Sequence, residues 1–179
     1  MKKPAVFLDR DGTIIEDAGY LREAAQVLFY PQTFSALRRL GDFVLFIVTN
    51  QSGIAKGQIR SEEADAVNHH VVQCLAAAGT TIRDVYCCPH QRSDACACMK
   101  PSPYFLRIAE RDFEIDLARS FVVGDHPSDI ALAHAVGATG VYVLTGHGVK
   151  HRAELQFPAF VASDIGVAAD VILRMSATA

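Results

Sequence analysis

Ala5-Val6-Phe7-Leu8-Asp9-Arg10-Asp11-Gly12-Thr13 runs from four apolar residues straight into two carboxylates one residue apart. An unbroken apolar run of this kind reads as a strand buried on both faces, as in parallel sheets covered by helices. Ligands bind such sheets in the crevice beyond the carboxyl ends of the strands, so Asp9 and Asp11 stand where chemistry is expected. Further strands are expected at Val44–Thr49, Val85–Cys88, Ser120–Gly124 and Gly140–Leu144.

Helical patterns alternate with these runs. Ala64, Val67, Val71, Cys74 or Leu75, and Ala78 recur at helix spacing, with Ser61 as N-cap and Gly79 as stop. Phe34, Leu37 and Leu40 form a shorter stripe ending at Gly41, and Phe105, Ile108, Ala109 and Asp112 follow Ser102-Pro103. Pro127 and Gly137 bracket another helix, and Asp164 to Met175 reads as a capped closing helix carrying Ile165, Ala168, Ala169 and Ile172. Cys74 is expected to be a buried thiol, and His69 and His70 to be surface residues; His147 and His151 are expected to be solvent-exposed, with a substrate contact as the alternative. The order of elements predicts an α/β fold built on a parallel sheet.

The 179 residues fit one domain, 1–179, large enough to bury roughly two thirds of the unfolded surface. Half the residues are apolar, about a fifth are charged and the formal net charge is −3, a soluble globular composition. The acidic balance argues against nucleic acid as a partner. Lys2 and Lys3 precede an apolar run that ends at Asp9, too short for a signal-peptide core, and no segment approaches a membrane span. A cytoplasmic monomer is expected. There the five cysteines suit metal ligation, catalysis or core filling better than disulfides.

Three more polar sites lie at or just past strand ends: Thr49-Asn50-Gln51-Ser52-Gly53, Lys100-Pro101, and Gly124-Asp125-His126-Pro127-Ser128-Asp129. In a parallel sheet these ends share one edge, so the sites converge. The set suits phosphoryl transfer, which needs a nucleophile, a divalent cation and fixed donors for the phosphoryl oxygens. Asp9 is the candidate nucleophile, through an aspartyl phosphate, and Asp11 the general acid and base. Thr49 offers a hydroxyl and Lys100 an ammonium to the same phosphate. Asp9, the backbone carbonyl of Asp11, and Asp125 make an oxygen set for Mg²⁺, with Asp129 holding a water of that ion. Gly12 reads either as a turn that aims amides at phosphate or as a plain turn glycine.

This combination resembles the haloacid dehalogenase superfamily of phosphatases, whose four motifs match Asp9-x-Asp11-Gly12-Thr13, Thr49, Lys100 and Gly124-Asp125-x-x-x-Asp129. The resemblance implies a three-layer, doubly wound, Rossmann-like parallel sheet, Mg²⁺ dependence and Asp9 as nucleophile. The stretches from Asp11 to Thr49 and from Thr49 to Lys100 are consumed by the elements above, so no large cap domain is expected and short loops must select the substrate.

Cys88, His90, Cys96 and Cys98 are spaced to ligate one zinc ion; a reduced loop or a redox pair are the alternatives, and Cys87 competes with Cys88. Cys88-Pro89-His90 followed by Cys96-x-Cys98-x-Lys100-Pro101 is similar to the zinc loop of the heptose bisphosphate and histidinol phosphatase subgroup. That similarity favours zinc in the loop 88–98, in a structural role, since four protein ligands leave no open position. Asp17-Ala18-Gly19-Tyr20 matches the subgroup's substrate loop, and Asn50, Gln51 and Ser52 its second motif, so Asp17, Tyr20, Asn50, Gln51, Ser52 and Met99 are the expected substrate contacts. Met99 departs from the subgroup, which carries arginine there; His126 stands for a frequent lysine, and Tyr104 for the usual glycine.

The expected reaction is removal of the 7-phosphate from D-glycero-D-manno-heptose 1,7-bisphosphate. Histidinol phosphate or another small sugar phosphate is the alternative. A noncatalytic, zinc-stabilised binding protein is the alternative of another class, against which the intact Asp9 and Asp11 argue.

Overall fold

The computed structural model describes residues 2–177. Along the chain come β1 (Ala5–Leu8), α1 (Thr33–Arg39), β2 (Val44–Asn50), α2 (Ser61–Ala77), β3 (Ile82–Cys88), α3 (Tyr104–Phe113), β4 (Phe121–Gly124), α4 (Pro127–Val136), β5 (Thr139–Val143), α5 (Gly148–His151), β6 (Phe160–Ala162) and α6 (Ile165–Ser176). The six strands are all parallel, in the order β3-β2-β1-β4-β5-β6. This is the doubly wound Rossmann order: the winding runs outward in both directions from β1 and β4, and the gap between them is the point where ligands enter. No large cap interrupts it, and no helix among the described residues is long and apolar enough to cross a membrane.

Alternation along each strand supplies two cores. Val6 and Leu8 of β1, Leu45 and Ile47 of β2, and Val141 and Val143 of β5 face one side, where α1, α2 and α6 add Leu37, Val71, Leu75, Ala168 and Ile172. Phe7, Phe46 and Val122 face the other, under Leu106 and Ala109 of α3 and Leu132 and Val136 of α4. With both faces covered, the central strands keep polar residues to their carboxyl ends, which is why they read as continuous apolar runs. Phe7, Phe46, Tyr86 and Phe105 stack in succession at centroid separations of 5.1, 5.9 and 5.1 Å, tying β1, β2, β3 and α3 together.

Several expectations shift. β6 is a strand that the sequence reading did not include: it is short, on the sheet edge, and leaves Phe160 and Val161 largely exposed, so it lacks a buried run. β3 begins at Ile82, before the expected Val85, because Arg83 and Asp84 sit on the opposite, exposed edge where charges are tolerated and discourage further pairing. Ser61 is the first residue of α2 instead of its cap; the N–H of Arg60 is met by the Glu63 carboxylate at 2.7 Å. Cys74 is only half-buried, with Sγ 3.5 Å from His70 Nε2, since Leu75 takes the inward position. In α3, Leu106 belongs to the buried stripe and Asp112 lies outside it, beside Arg111 at the surface. His151 is half-buried against His126 and Glu154.

Phe46 lies fully buried in the middle of the aromatic stack. Phe46→Ala is expected to lower stability by about 3–5 kcal/mol through lost burial and the cavity left behind. Urea unfolding measures this, and a loss below about 1 kcal/mol would contradict the packing described.

Candidate active site

β1 ends at Leu8, so Asp9 is the first residue beyond the sheet, and its N–H still donates to the carbonyl of Val123 at 2.9 Å. β4 ends at Gly124, which sets Asp125 beside it across the reversal point. Helix α4 starts two residues later, and Asp129 in its first turn folds back toward the sheet, accepting from the N–H of His126 at 3.1 Å. A carboxylate at a helix N-terminus is favoured by the helix dipole. Lys100 comes from the loop after β3, where its N–H donates to Asn50 Oδ1 at 3.2 Å. Its Nζ lies 2.8 Å from Asp9 Oδ1 and 2.7 Å from Asp129 Oδ1.

Oxygens of Asp9, Asp125 and Asp129 lie within 4.8 Å of one another. Burial is the main reason that the Asp9 carboxyl is held well above the usual carboxylate range; Lys100 opposes the shift, while Asp129 and Asp125 add to it. Burial likewise pushes Asp125 up to about 6, against the N–H of His147, which donates to its Oδ2 at 2.6 Å. For Lys100 burial works against the charge, but Asp129 and Asp9 outweigh it and raise its pKa. Two glycines make this crowding possible. Gly12 has φ +80°, and a Cβ there would meet the Asp125 carboxylate; a Cβ on Gly124 would fall on the carboxyl of Asp129.

Asp11 is gripped from the side. Arg10 Nε and Nη2 donate to its two oxygens at 3.2 and 2.9 Å, and Gln51 Nε2 donates to Oδ2 at 2.7 Å. Arg10 is itself buried, with Nη1 donating to Asn68 Oδ1 of α2 at 2.6 Å. Gln51 also donates to Thr49 Oγ1 at 2.8 Å, and that hydroxyl lies 3.5 Å from Asp11 Oδ2. One amide thus links the threonine and the second carboxylate.

Above these groups opens a cleft of about 580 Å³, a size suited to a small metabolite. Asp17, Tyr20, Asn50, Gln51, Ser52 and Met99, the expected substrate contacts, all line it. Tyr20 packs flat over Gly53, where a Cβ would stand 2.5 Å from its ring, and its hydroxyl accepts from Lys56 Nζ at 3.2 Å. Two lining or supporting groups, Arg10 and Arg92, were not among the site residues expected from the sequence. Arg10 fills the unassigned place between the paired aspartates, and only its adjacency to two carboxylates hinted at a role. Arg92 comes from the cysteine loop. His147 is exposed, as expected, yet lines the cleft with Nε2 2.9 Å from Asp17 Oδ2; its place after β5, on the same edge as the other sites, was the available signal.

The cysteine loop closes on itself just behind Lys100. Cys88, at the end of β3, has its Sγ 3.6 Å from Cys96 Sγ and 3.1 Å from Cys98 Sγ; Cys96 and Cys98 are 3.7 Å apart, and His90 Nδ1 lies 3.7 Å from Cys88 and 3.3 Å from Cys98. Tetrahedral zinc with bonds of about 2.0–2.3 Å sets ligand atoms about 3.5–3.8 Å apart; the Cys88–Cys96, Cys96–Cys98 and Cys88–His90 distances match that spacing, while Cys98 stands closer than that to Cys88 and to His90. Cys87 is outside this group; burial pushes its thiol up to about 11, in the neighbourhood of Arg10 and Asn68.

A HAD-hydrolase-like family model matches residues 97–168. The chain is 39% identical over 162 residues to the D-glycero-beta-D-manno-heptose-1,7-bisphosphate 7-phosphatase of Yersinia pestis, covering 84% of this chain and 86% of that one. It is 31% identical over 174 residues to the enzyme of the same name from Bordetella bronchiseptica, covering 94% and 97%. The crystal structure of the B. bronchiseptica D,D-heptose 1,7-bisphosphate phosphatase, complexed with magnesium and phosphate, superposes with a TM-score of 0.89 at 30% identity over 96% of this chain and 99% of that chain. A HAD-like phosphatase from Mesorhizobium loti gives 0.83 at 28% identity over 98% and 87%. With near-complete coverage in both sequence and fold, the chain belongs to the heptose bisphosphate phosphatase family of HAD-like hydrolases and is a phosphoric monoester hydrolase.

Proposed function

We propose that residues 1–179 form a single phosphatase domain that acts as a monomer on a small sugar phosphate, removing the 7-phosphate of D-glycero-D-manno-heptose 1,7-bisphosphate. The observation that carries the chemistry is the Lys100 ammonium shared by Asp9 and Asp129 at the reversal point of the sheet. The substrate comes from the relatives named for it.

The donor set fits a hard divalent cation. Three carboxylates crowd one pocket with a single lysine between them, and two of them are held above their ordinary pKa, a strain that positive charge relieves. Asp9, Asp125 and the backbone carbonyl of Asp11 would hold Mg²⁺, with Asp129 acting through water. When bound, the ion neutralises charge on the phosphoryl oxygens and keeps Asp9 ionised.

In the first step a carboxylate oxygen of Asp9 attacks phosphorus while the bond from phosphorus to the sugar oxygen breaks. Asp11 gives its proton to that departing oxygen. The Thr49 hydroxyl and the Lys100 ammonium donate to the phosphoryl oxygens as charge shifts onto them. In the second step Asp11, now ionised, takes a proton from a water whose oxygen attacks phosphorus, and the bond to Asp9 breaks to release inorganic phosphate. Arg10 and Gln51 fix the direction of the Asp11 carboxylate between the two steps. Zinc held by Cys88, His90, Cys96 and Cys98 would order the loop 88–98 and, through Cys98, the position of Lys100.

Asp9→Asn is expected to lower phosphate release by roughly 10⁴-fold or more while leaving circular dichroism unchanged; undiminished release would refute Asp9 as the nucleophile and with it the covalent route. A phosphate-release panel with heptose 1,7-bisphosphate, histidinol phosphate and other sugar phosphates tests the substrate, and the heptose ester should lead it clearly.

The Asp125 shift sets a pH dependence. Its carboxyl titrates near 6 in the folded chain against an ordinary 3.8, so between those values the folded state holds a proton that the unfolded state has released. The associated stability is present below about pH 4 and lost as pH rises through 6. Metal-free Asp125→Asn should therefore be more stable than the metal-free native chain at pH 7.5, by about 3 kcal/mol, with the advantage shrinking toward pH 4. Thermal melts in chelator across that range measure it; an advantage that grows toward acid would contradict the assignment.

Exhaustive chelation should lower both the melting temperature and the activity. Mg²⁺ alone should fail to restore activity, and Zn²⁺ with Mg²⁺ should succeed. Full recovery with Mg²⁺ alone would remove the structural zinc from the account.

A further inference from the structure

A substrate with a second phosphate brings a second dianion into the cleft, and Met99 offers it neither charge nor hydrogen bond. Four side chains with basic nitrogens line the cleft: Arg92, Lys100, His126 and His147. Lys100 is committed to Asp9 and Asp129. His147 Nε2 faces Asp17. His126 is engaged at Nδ1, which accepts from the N–H of Ser128 at 3.2 Å and lies 2.9 Å from the Ser128 hydroxyl. Arg92 is exposed, and among the described residues its guanidinium has no carboxylate or hydrogen-bond partner.

The setting of Arg92 adds to its charge. It opens the short turn Arg92–Asp94, which is closed by the N–H of Gln91 donating to Asp94 Oδ2 at 3.0 Å. It stands two residues after His90, so the loop that carries it is fixed at the cysteine and histidine cluster. A second cavity of about 410 Å³ continues the cleft past His126 and Ser128, and Arg92 lines both spaces. The distal end of a substrate anchored at Asp9 has room in that direction. An unpaired guanidinium there presents the planar fork that suits phosphate.

The geometry points to Arg92 as the residue that recognises the distal phosphate, in the place of the arginine that Met99 replaces. This assignment rests on the bisphosphate reading given above. It moves specificity from the lysine segment to the middle of the cysteine loop.

The test compares kcat/KM for heptose 1,7-bisphosphate with that for heptose 7-phosphate, which lacks the distal group, in the native chain, Arg92→Ala, Arg92→Lys and Arg92→Glu. The ratio of the two constants should fall by about 10- to 100-fold in Arg92→Ala, chiefly through KM for the bisphosphate, the size expected for a charge-assisted contact. Arg92→Lys should recover part of the ratio and Arg92→Glu should lower it further. General damage to the loop would reduce both constants together and leave the ratio unchanged, and bound zinc per chain reports such damage directly. An unchanged ratio in Arg92→Ala and Arg92→Glu, with the native chain still preferring the bisphosphate, overturns the assignment of Arg92 alone. A native chain that shows no preference for the bisphosphate overturns the substrate reading along with it.

Discussion

Three carboxylates and one ammonium are withdrawn from water at a single point on the sheet edge, and the rest of the structure is arranged around that imbalance. Like charges at this spacing repel strongly once solvent is removed. Lys100 offsets only part of the repulsion, and it does so by lying between Asp9 and Asp129. Holding these groups together requires a frame that does not relax, and the buried centre of the sheet is that frame. β1 and β4 pair in register through Leu8 and Val123, so Asp9 and Asp125 leave the sheet side by side. Glycines at 12 and 124 occupy the places where any side chain would enter a carboxylate.

The same imbalance bears on the nucleophile role proposed for Asp9. Burial raises the Asp9 pKa and so opposes its ionised form. The ammonium, and the divalent cation that the donor set suits, shift it to the ionised form that can attack phosphorus. Asp11 is treated differently: it lies at the rim, bound by a guanidinium fork and an amide that hold its direction without surrounding it with negative charge. Two carboxylates one residue apart are thereby given different environments for different work.

How much of this was legible in the sequence follows from burial. The central strands announced themselves because both faces are covered and every position is apolar. Edge strand β6 did not, because an edge needs no such run, and the polar beginning of β3 was missed for the same reason. The convergence of Asp9, Thr49, Lys100 and Asp125 followed from strand ends sharing an edge. Arg10 escaped because its partner Asn68 lies on a distant helix, a contact that only the fold supplies. For His147 the only signal in the sequence was its place after β5; that it donates its backbone N–H to Asp125 carries no residue signature. The choice between Cys87 and Cys88 turned on strand alternation, settled only once the phase of β3 was known.

The position of β3 at the edge of the sheet has a consequence for how such a protein changes over generations. Asp9 follows directly on an inner strand, where a substitution disturbs two cores at once. The cysteine loop grows from an outer strand, with neighbours on one side only. Alterations in its length or charge leave the interior untouched as long as the Cys88, His90, Cys96 and Cys98 cluster persists. A lineage can therefore exchange one recognition residue for another on that margin while inheriting the reaction intact, and drift in ligand preference becomes far easier than drift in chemistry.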